Sequence, residues 1–127
     1  MDLQVLEAYE EGKEALELGD VLYAAKKFNE AEILYPQSNW APKSALMAAY
    51  SYFSQAYYSD SIYELERFLK TYPNHPRTDY AYYLLAIAYY DQIVDETKDL
   101  NSILKSKKYF KYVIAVSYTH LRAHETV

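Results

Sequence analysis

Small and apolar residues return along the chain at spacings of three and four, the period of helices that each bury one stripe. The triplets Ala24, Phe28, Ala31, then Ser61, Leu65, Phe68, then Ser106, Phe110, Val113 all stand at i, i+4 and i+7. A second series is Gly12, Ala49 and Ala86, the last two followed three residues later by Tyr52 and Tyr89. Laid against itself, the sequence matches at a lag of 37: Phe28-Asn29-Glu30-Ala31-Glu32-Ile33-Leu34-Tyr35-Pro36 falls on Leu65-Glu66-Arg67-Phe68-Leu69-Lys70-Thr71-Tyr72-Pro73, and Ala49 falls on Ala86. A unit of this length carrying two such stripes is a helical hairpin. The pattern predicts helices near 3–18, 21–35, 41–56, 60–71, 78–94 and 103–115.

Punctuation agrees with these elements. Gly19-Asp20 and Ser59-Asp60 stand where the first two hairpins turn, and Asp20 or Asp60 suits the cap of the following helix. Pro42 suits a first helical turn, while Pro36 and Pro73 close the helices before them. From Leu65 to Phe110 the spacing is 45, so the third unit is eight residues longer; the extra length is expected as a loop within 91–101. The order of a small residue at a close helix crossing, an aromatic, a small-x3-aromatic series and a closing proline resembles the tetratricopeptide (TPR) pattern. The expected fold is all-α, a TPR-like superhelix of helical hairpins with about two and a half repeats, near 5–38, 42–75 and 79–115.

Composition narrows the picture. With 2 glycines and 4 prolines among 127 residues, the chain lacks the turns that many short strands require. Hydrophobic residues make up 51%, enough for a core, and 17 tyrosines dominate the aromatic share. The net charge of −5 argues against a nucleic-acid partner, and with no cysteine neither a disulfide nor a thiolate metal site is possible. Glu7, Glu10, Glu11, Glu14 and Glu17 read as a solvated helix face, as do Lys105, Lys107, Lys108 and Lys111. No phosphate loop, nucleophile elbow or His-Glu-x2-His helix occurs, so neither an enzyme nor a cofactor is expected. His75 lies alone in a turn between repeats, which leaves no metal site.

From Val116 the text Val-Ser-Tyr-Thr-His-Leu-Arg-Ala-His-Glu-Thr resembles the translation of a transposase adapter used in sequencing libraries. Residues 116–127 are therefore expected to be a non-native tail, which removes His120 and His124 from consideration.

Stacked hairpins turn one face of each first helix toward a shared concave surface. Positions off the packing stripe of those helices are Tyr9 and Lys13, then Lys43, Leu46, Tyr50 and Phe53, then Tyr80, Tyr83, Ile87 and Tyr90, an aromatic lining with scattered cations. One helix cannot place Tyr80, Tyr82 and Tyr83 all inside, so some face solvent or a ligand.

The run Phe68-Leu69-Lys70-Thr71-Tyr72-Pro73-Asn74-His75-Pro76-Arg77-Thr78-Asp79-Tyr80-Ala81-Tyr82-Tyr83, with Ala88-Tyr89-Tyr90-Asp91-Gln92-Ile93 after it, resembles the second-to-third repeat region of the BamD (ComL) family of outer-membrane assembly lipoproteins. The resemblance covers residues 5–115. It implies a protein on the periplasmic face of the outer membrane, anchored by a lipidated N-terminal cysteine upstream of the residues seen here. It also implies partnership with BamA and the other assembly-complex subunits, and binding of unfolded β-barrel proteins by the N-terminal repeats. On that reading an extended peptide lies along the concave face, with aromatic rings against Tyr50, Tyr80 and Tyr83 and its carboxylate near Lys13 or Lys43. The repeat pattern alone fits equally a periplasmic or cytosolic TPR adaptor.

Overall fold

The computed structural model describes the backbone of residues 3–95 and 100–125 and the side chains of 3–92, 101, 103–113 and 115. Six helices follow one another: α1 (Leu3–Glu17), α2 (Val21–Leu34), α3 (Trp40–Ser54), α4 (Tyr58–Thr71), α5 (Thr78–Asp95) and α6 (Leu100–Glu125). Each packs on the next, and α1 also meets α3, as α3 meets α5. The first helices of successive hairpins thus lie side by side, as in a TPR-like stack.

The small residues sit where the hairpins are tightest. A Cβ placed on Gly12 would come within 2.8 Å of the Phe28 ring, and Phe28 is fully buried. Ala49 and Ala86 are equally buried, and each carbonyl accepts a hydrogen bond from the next helix, from the Ser61 hydroxyl at 3.2 Å and the Ser106 hydroxyl at 3.4 Å. The partner is twelve residues on in the second hairpin and twenty in the third. The longer third unit therefore keeps the same crossing.

Two core clusters share α3. The first gathers Val5, Tyr9, Ala24, Phe28, Ala31 and Ala48; the second gathers Ala45, Leu46, Ala49, Leu65, Phe68, Leu85 and Tyr89. In the third hairpin the rings of Tyr89 and Tyr109 stack at 5.5 Å and those of Tyr82 and Tyr112 at 5.3 Å, while Glu66 accepts from both the Tyr89 and Tyr109 hydroxyls. Burial first, then Glu66, holds the Tyr89 phenol well above its usual range; the Tyr109 phenol is raised by the same two causes. Phe110 is 36% exposed, whereas its counterparts Phe28 and Leu65 are fully buried because α3 and α5 pack over them.

The turns repeat as well. Asp20 caps α2 by accepting the Tyr23 N–H at 3.3 Å, and Gly19 before it adopts φ +85°, a left-handed conformation that glycine takes without strain. The second hairpin turns elsewhere than expected. α4 starts at Tyr58, so Asp60 lies inside its first turn and caps nothing; the left-handed residue is Ala56 at φ 63°, 37 residues after Gly19. The Asp20 N–H donates to the Ala15 carbonyl, and the Tyr57 N–H to the Tyr52 carbonyl, so both turns close on the same pattern. Tyr58 draws the helix start forward, with its ring 6.0 Å from Phe53 and its hydroxyl donating to Asp91 at 2.8 Å. Ala56 bears the steric cost that Gly19 avoids. Ala56→Gly is expected to stabilise the protein by about 0.5–1 kcal/mol after the added unfolded-state entropy is counted, read as a higher melting temperature; a lower one would count against the turn assignment.

The segment 91–101 is also not simply a loop. α5 continues to Asp95 and α6 begins at Leu100, because Asp91-Gln92-Ile93-Val94 holds no glycine or proline to stop the helix; the remainder of that segment lies outside the described residues. α6 runs unbroken to Glu125, and the adapter-like side chains from Val116 onward lie outside the described ones as well. No helix among the described residues is long and apolar enough to cross a membrane.

Candidate functional site

A cavity of about 420 Å³ opens between α3 and the start of α5. One wall is Asn39, the residue before α3, with Lys43, Leu46, Met47 and Tyr50 of α3, which helical spacing puts on one face. Its other wall is His75, Arg77 and Tyr80, from the α4–α5 loop and the first turn of α5. The loop is held by local bonds. The His75 N–H donates to the Tyr72 carbonyl at 3.2 Å, the Thr78 N–H to the His75 carbonyl at 3.2 Å, and the Arg77 N–H to His75 Nδ1 at 3.1 Å.

Both cations are laid over aromatic faces. Lys43 Nζ stands 4.8 Å from the Trp40 ring centre and 5.3 Å from that of Tyr9, and the Arg77 guanidinium lies 5.1 Å above Tyr80. No acid lines the cavity, and among the described residues no carboxylate pairs with either cation. Burial holds the Tyr80 phenol above its usual value, with Tyr50 and Tyr83 adding and Arg77 opposing, so it stays a neutral donor and acceptor at physiological pH. Chemically the site offers two positive charges, a ring of hydrogen-bonding tips and an apolar floor. It suits an anionic group attached to an apolar one.

The structure brings four of the ten expected residues together here: Lys43, Leu46, Tyr50 and Tyr80. Tyr9 belongs to the core instead, 6% exposed and edge-on to Phe28 at 5.3 Å and Trp40 at 5.0 Å. Lys13 is exposed beside Glu10 at 3.9 Å and does not line the cavity. Phe53 packs against Tyr58 and the second core cluster. Tyr83 and Tyr90 are exposed and Ile87 half-buried on α5, outside the cavity. Asn39, Met47, His75 and Arg77 are additions to the expected set; in the sequence the Asn-His-Pro-Arg turn stands as a connection between repeats and within the run that carries the family resemblance, not as part of a binding site.

Two other hollows differ in make-up. One of about 570 Å³ lies along α6 alone, with Leu104, Lys107, Lys108, Lys111 and Tyr112. The other, about 530 Å³ between α2 and α4, is crossed by an ion-pair network in which Arg67 donates to Glu32 at 2.7 and 3.1 Å and to Glu64 at 3.3 Å. Among the described residues no group of three or more acids, histidines or cysteines stands close enough to hold a metal ion.

Residues 1–119 match the family model YfiO, described as an outer membrane lipoprotein. The chain is 37% identical over 91 residues to the outer membrane protein assembly factor BamD of Caulobacter vibrioides, covering 72% of this chain and 30% of that protein. It is 34% identical over 106 residues to the BamD of Rickettsia prowazekii, covering 84% of this chain and 42% of that one. Against the BamD of Neisseria gonorrhoeae the identity is 30% over 91 residues, 72% of this chain and 34% of the relative. The matched part is thus between 30% and 42% of each of these relatives.

Proposed function

The chain belongs to the YfiO outer membrane lipoprotein family, and from that premise we propose that it is a client-binding part of an outer membrane protein assembly factor of the BamD kind. It works without catalysis. An extended segment of an unfolded β-barrel protein lies along the first-helix face, and its terminal aromatic residue enters the cavity between α3 and α5. The ring rests on Leu46, Met47, Tyr50 and Tyr80, while the terminal carboxylate meets Lys43 and Arg77. Handing the client to BamA, contact with other subunits, lipid anchoring and a place on the periplasmic face of the outer membrane belong to the whole protein on this reading.

One observation supports it above the rest: the cavity pairs two cations with an apolar, tyrosine-rich wall and contains no acid. Capture of a C-terminal carboxylate uses such a pairing, because charge-assisted bonds fix the chain end while the pocket reads its side chain. Arg77 replaces Lys13 as the second cation of the expected site.

A labelled peptide ending in phenylalanine, titrated as the free acid and as the C-terminal amide, tests the proposal. The acid is expected to bind about tenfold more tightly, the difference one charge-assisted contact makes. Equal affinities would remove the carboxylate from the account.

A further inference from the structure

Glu32 lies outside the cavity, yet its carboxylate connects to the loop that forms one wall. Its side chain is 11% exposed, accepts two N–H groups of Arg67, and accepts the Tyr72 hydroxyl at 2.6 Å. Tyr72 closes α4, donating its own N–H to the Phe68 carbonyl at 2.8 Å while its carbonyl receives the His75 N–H. The fully buried Phe68 ring touches both the Tyr72 and His75 rings, with centres 5.6 Å away in each case. Next in line, His75 Nδ1 accepts the Arg77 N–H, and Arg77 lies over Tyr80. A continuous path of bonds and ring contacts therefore joins α2 to Arg77.

The first repeat contains an internal comparison. Tyr35 stands 37 residues before Tyr72, and the turn after it forms the same two backbone bonds, Ser38 N–H to the Tyr35 carbonyl and Ala41 N–H to the Ser38 carbonyl. Tyr35 is 47% exposed, and among the described residues its hydroxyl makes no hydrogen bond to a carboxylate. The turn thus forms without a tethered phenol. In the first repeat the Ser38 hydroxyl adds a bond to the Tyr35 carbonyl at 2.8 Å, whereas the second repeat, with His75 at that position, has the Tyr72–Glu32 bond.

Resting on the client-binding reading above, we propose that Glu32 is a positioning residue for the cavity. By holding the Tyr72 hydroxyl it fixes loop 73–77 against α2, and α2 packs directly on α3, whose face is the opposite wall. The separation of the Arg77 guanidinium from Lys43 is set from outside the cavity in this way. Burial, then the Glu32 hydrogen bond, keeps the Tyr72 phenol well above its usual range, so the tether stays protonated throughout physiological pH.

Tyr72→Phe removes one oxygen and leaves the ring on Phe68. In the ligand-free protein, amide exchange at Arg77 and Thr78 is expected to quicken about fivefold, the fold-change one net hydrogen bond sets, while Ser38 and Ala41 exchange as before. Tyr35→Phe, the untethered counterpart, is expected to change nothing. With the phenylalanine-ending peptide, Tyr72→Phe is expected to shrink the preference for acid over amide about threefold or more and to leave amide affinity unaltered, a split that general loss of stability would not produce. Unchanged exchange at Arg77 and Thr78 overturns the positioning role whatever the peptide does. Equal binding of acid and amide by the unaltered protein overturns the cavity reading instead, and the exchange result still decides the role of Glu32.

Discussion

Phe68→Ala is expected to lower the unfolding free energy by about 3–5 kcal/mol, the cost of emptying a large buried aromatic site. Its ring is fully buried at the centre of the cluster that α3, α4 and α5 share, against Leu65, Leu85 and Ala45 in the same set. Tyr72 and His75 both rest on it, so their side chains lose that contact surface. A domain of this size holds only about 5–15 kcal/mol in total. The loss therefore takes a large share of the stability, and in a stacked array it weakens the hairpins on both sides of the vacancy. Urea unfolding followed by helical circular dichroism measures it. A loss below about 1 kcal/mol would mean that the second and third hairpins do not meet around this ring.

Much of this arrangement can be read from the residues. The close crossings at Gly12, Ala49 and Ala86, the closing prolines and the order of six helices follow from spacing and from residue size. The turn at Ala56 escapes such reading because alanine carries no mark of positive φ; only its position 37 residues after Gly19 gives it away. The helix expected over 78–94 is present and ends at Asp95; it takes up part of the extra length expected as a loop within 91–101, because the local residues simply go on being helical.

The site was legible only in part, for a physical reason. Tyr9, Leu46 and Tyr83 occupy one repeat position and share one orientation on their helices, yet they are 6%, 8% and 46% exposed. α3 covers the first and α5 the second, while no further first helix stands beside the third among the described residues. Helical period fixes the face a residue takes; whether that face meets a neighbour depends on the rotation from one hairpin to the next, which no local pattern encodes. His75 and Arg77 reach the cavity for the same non-local reason, since the turn that carries them is placed by its packing against the helices around it.

The second large effect concerns the cavity itself. Tyr80→Ala removes half-buried aromatic surface from the wall and leaves the Arg77 guanidinium without the ring it lies over. A buried aromatic anchor and a stacked arginine are the kinds of contact that carry most of a recognition energy, so affinity for the phenylalanine-ending peptide should drop about 10- to 100-fold, roughly 1.4–2.7 kcal/mol. Tyr83 makes the natural control, three residues on along the same helix, exposed and outside the cavity. Titrating the free-acid peptide into the unaltered protein, Tyr80→Ala and Tyr83→Ala, each verified as helical, puts the account to its most direct test. It requires a steep loss for the first variant and affinity within about twofold of the original for the second. Equal affinities across all three proteins, or a loss confined to Tyr83→Ala, would contradict it.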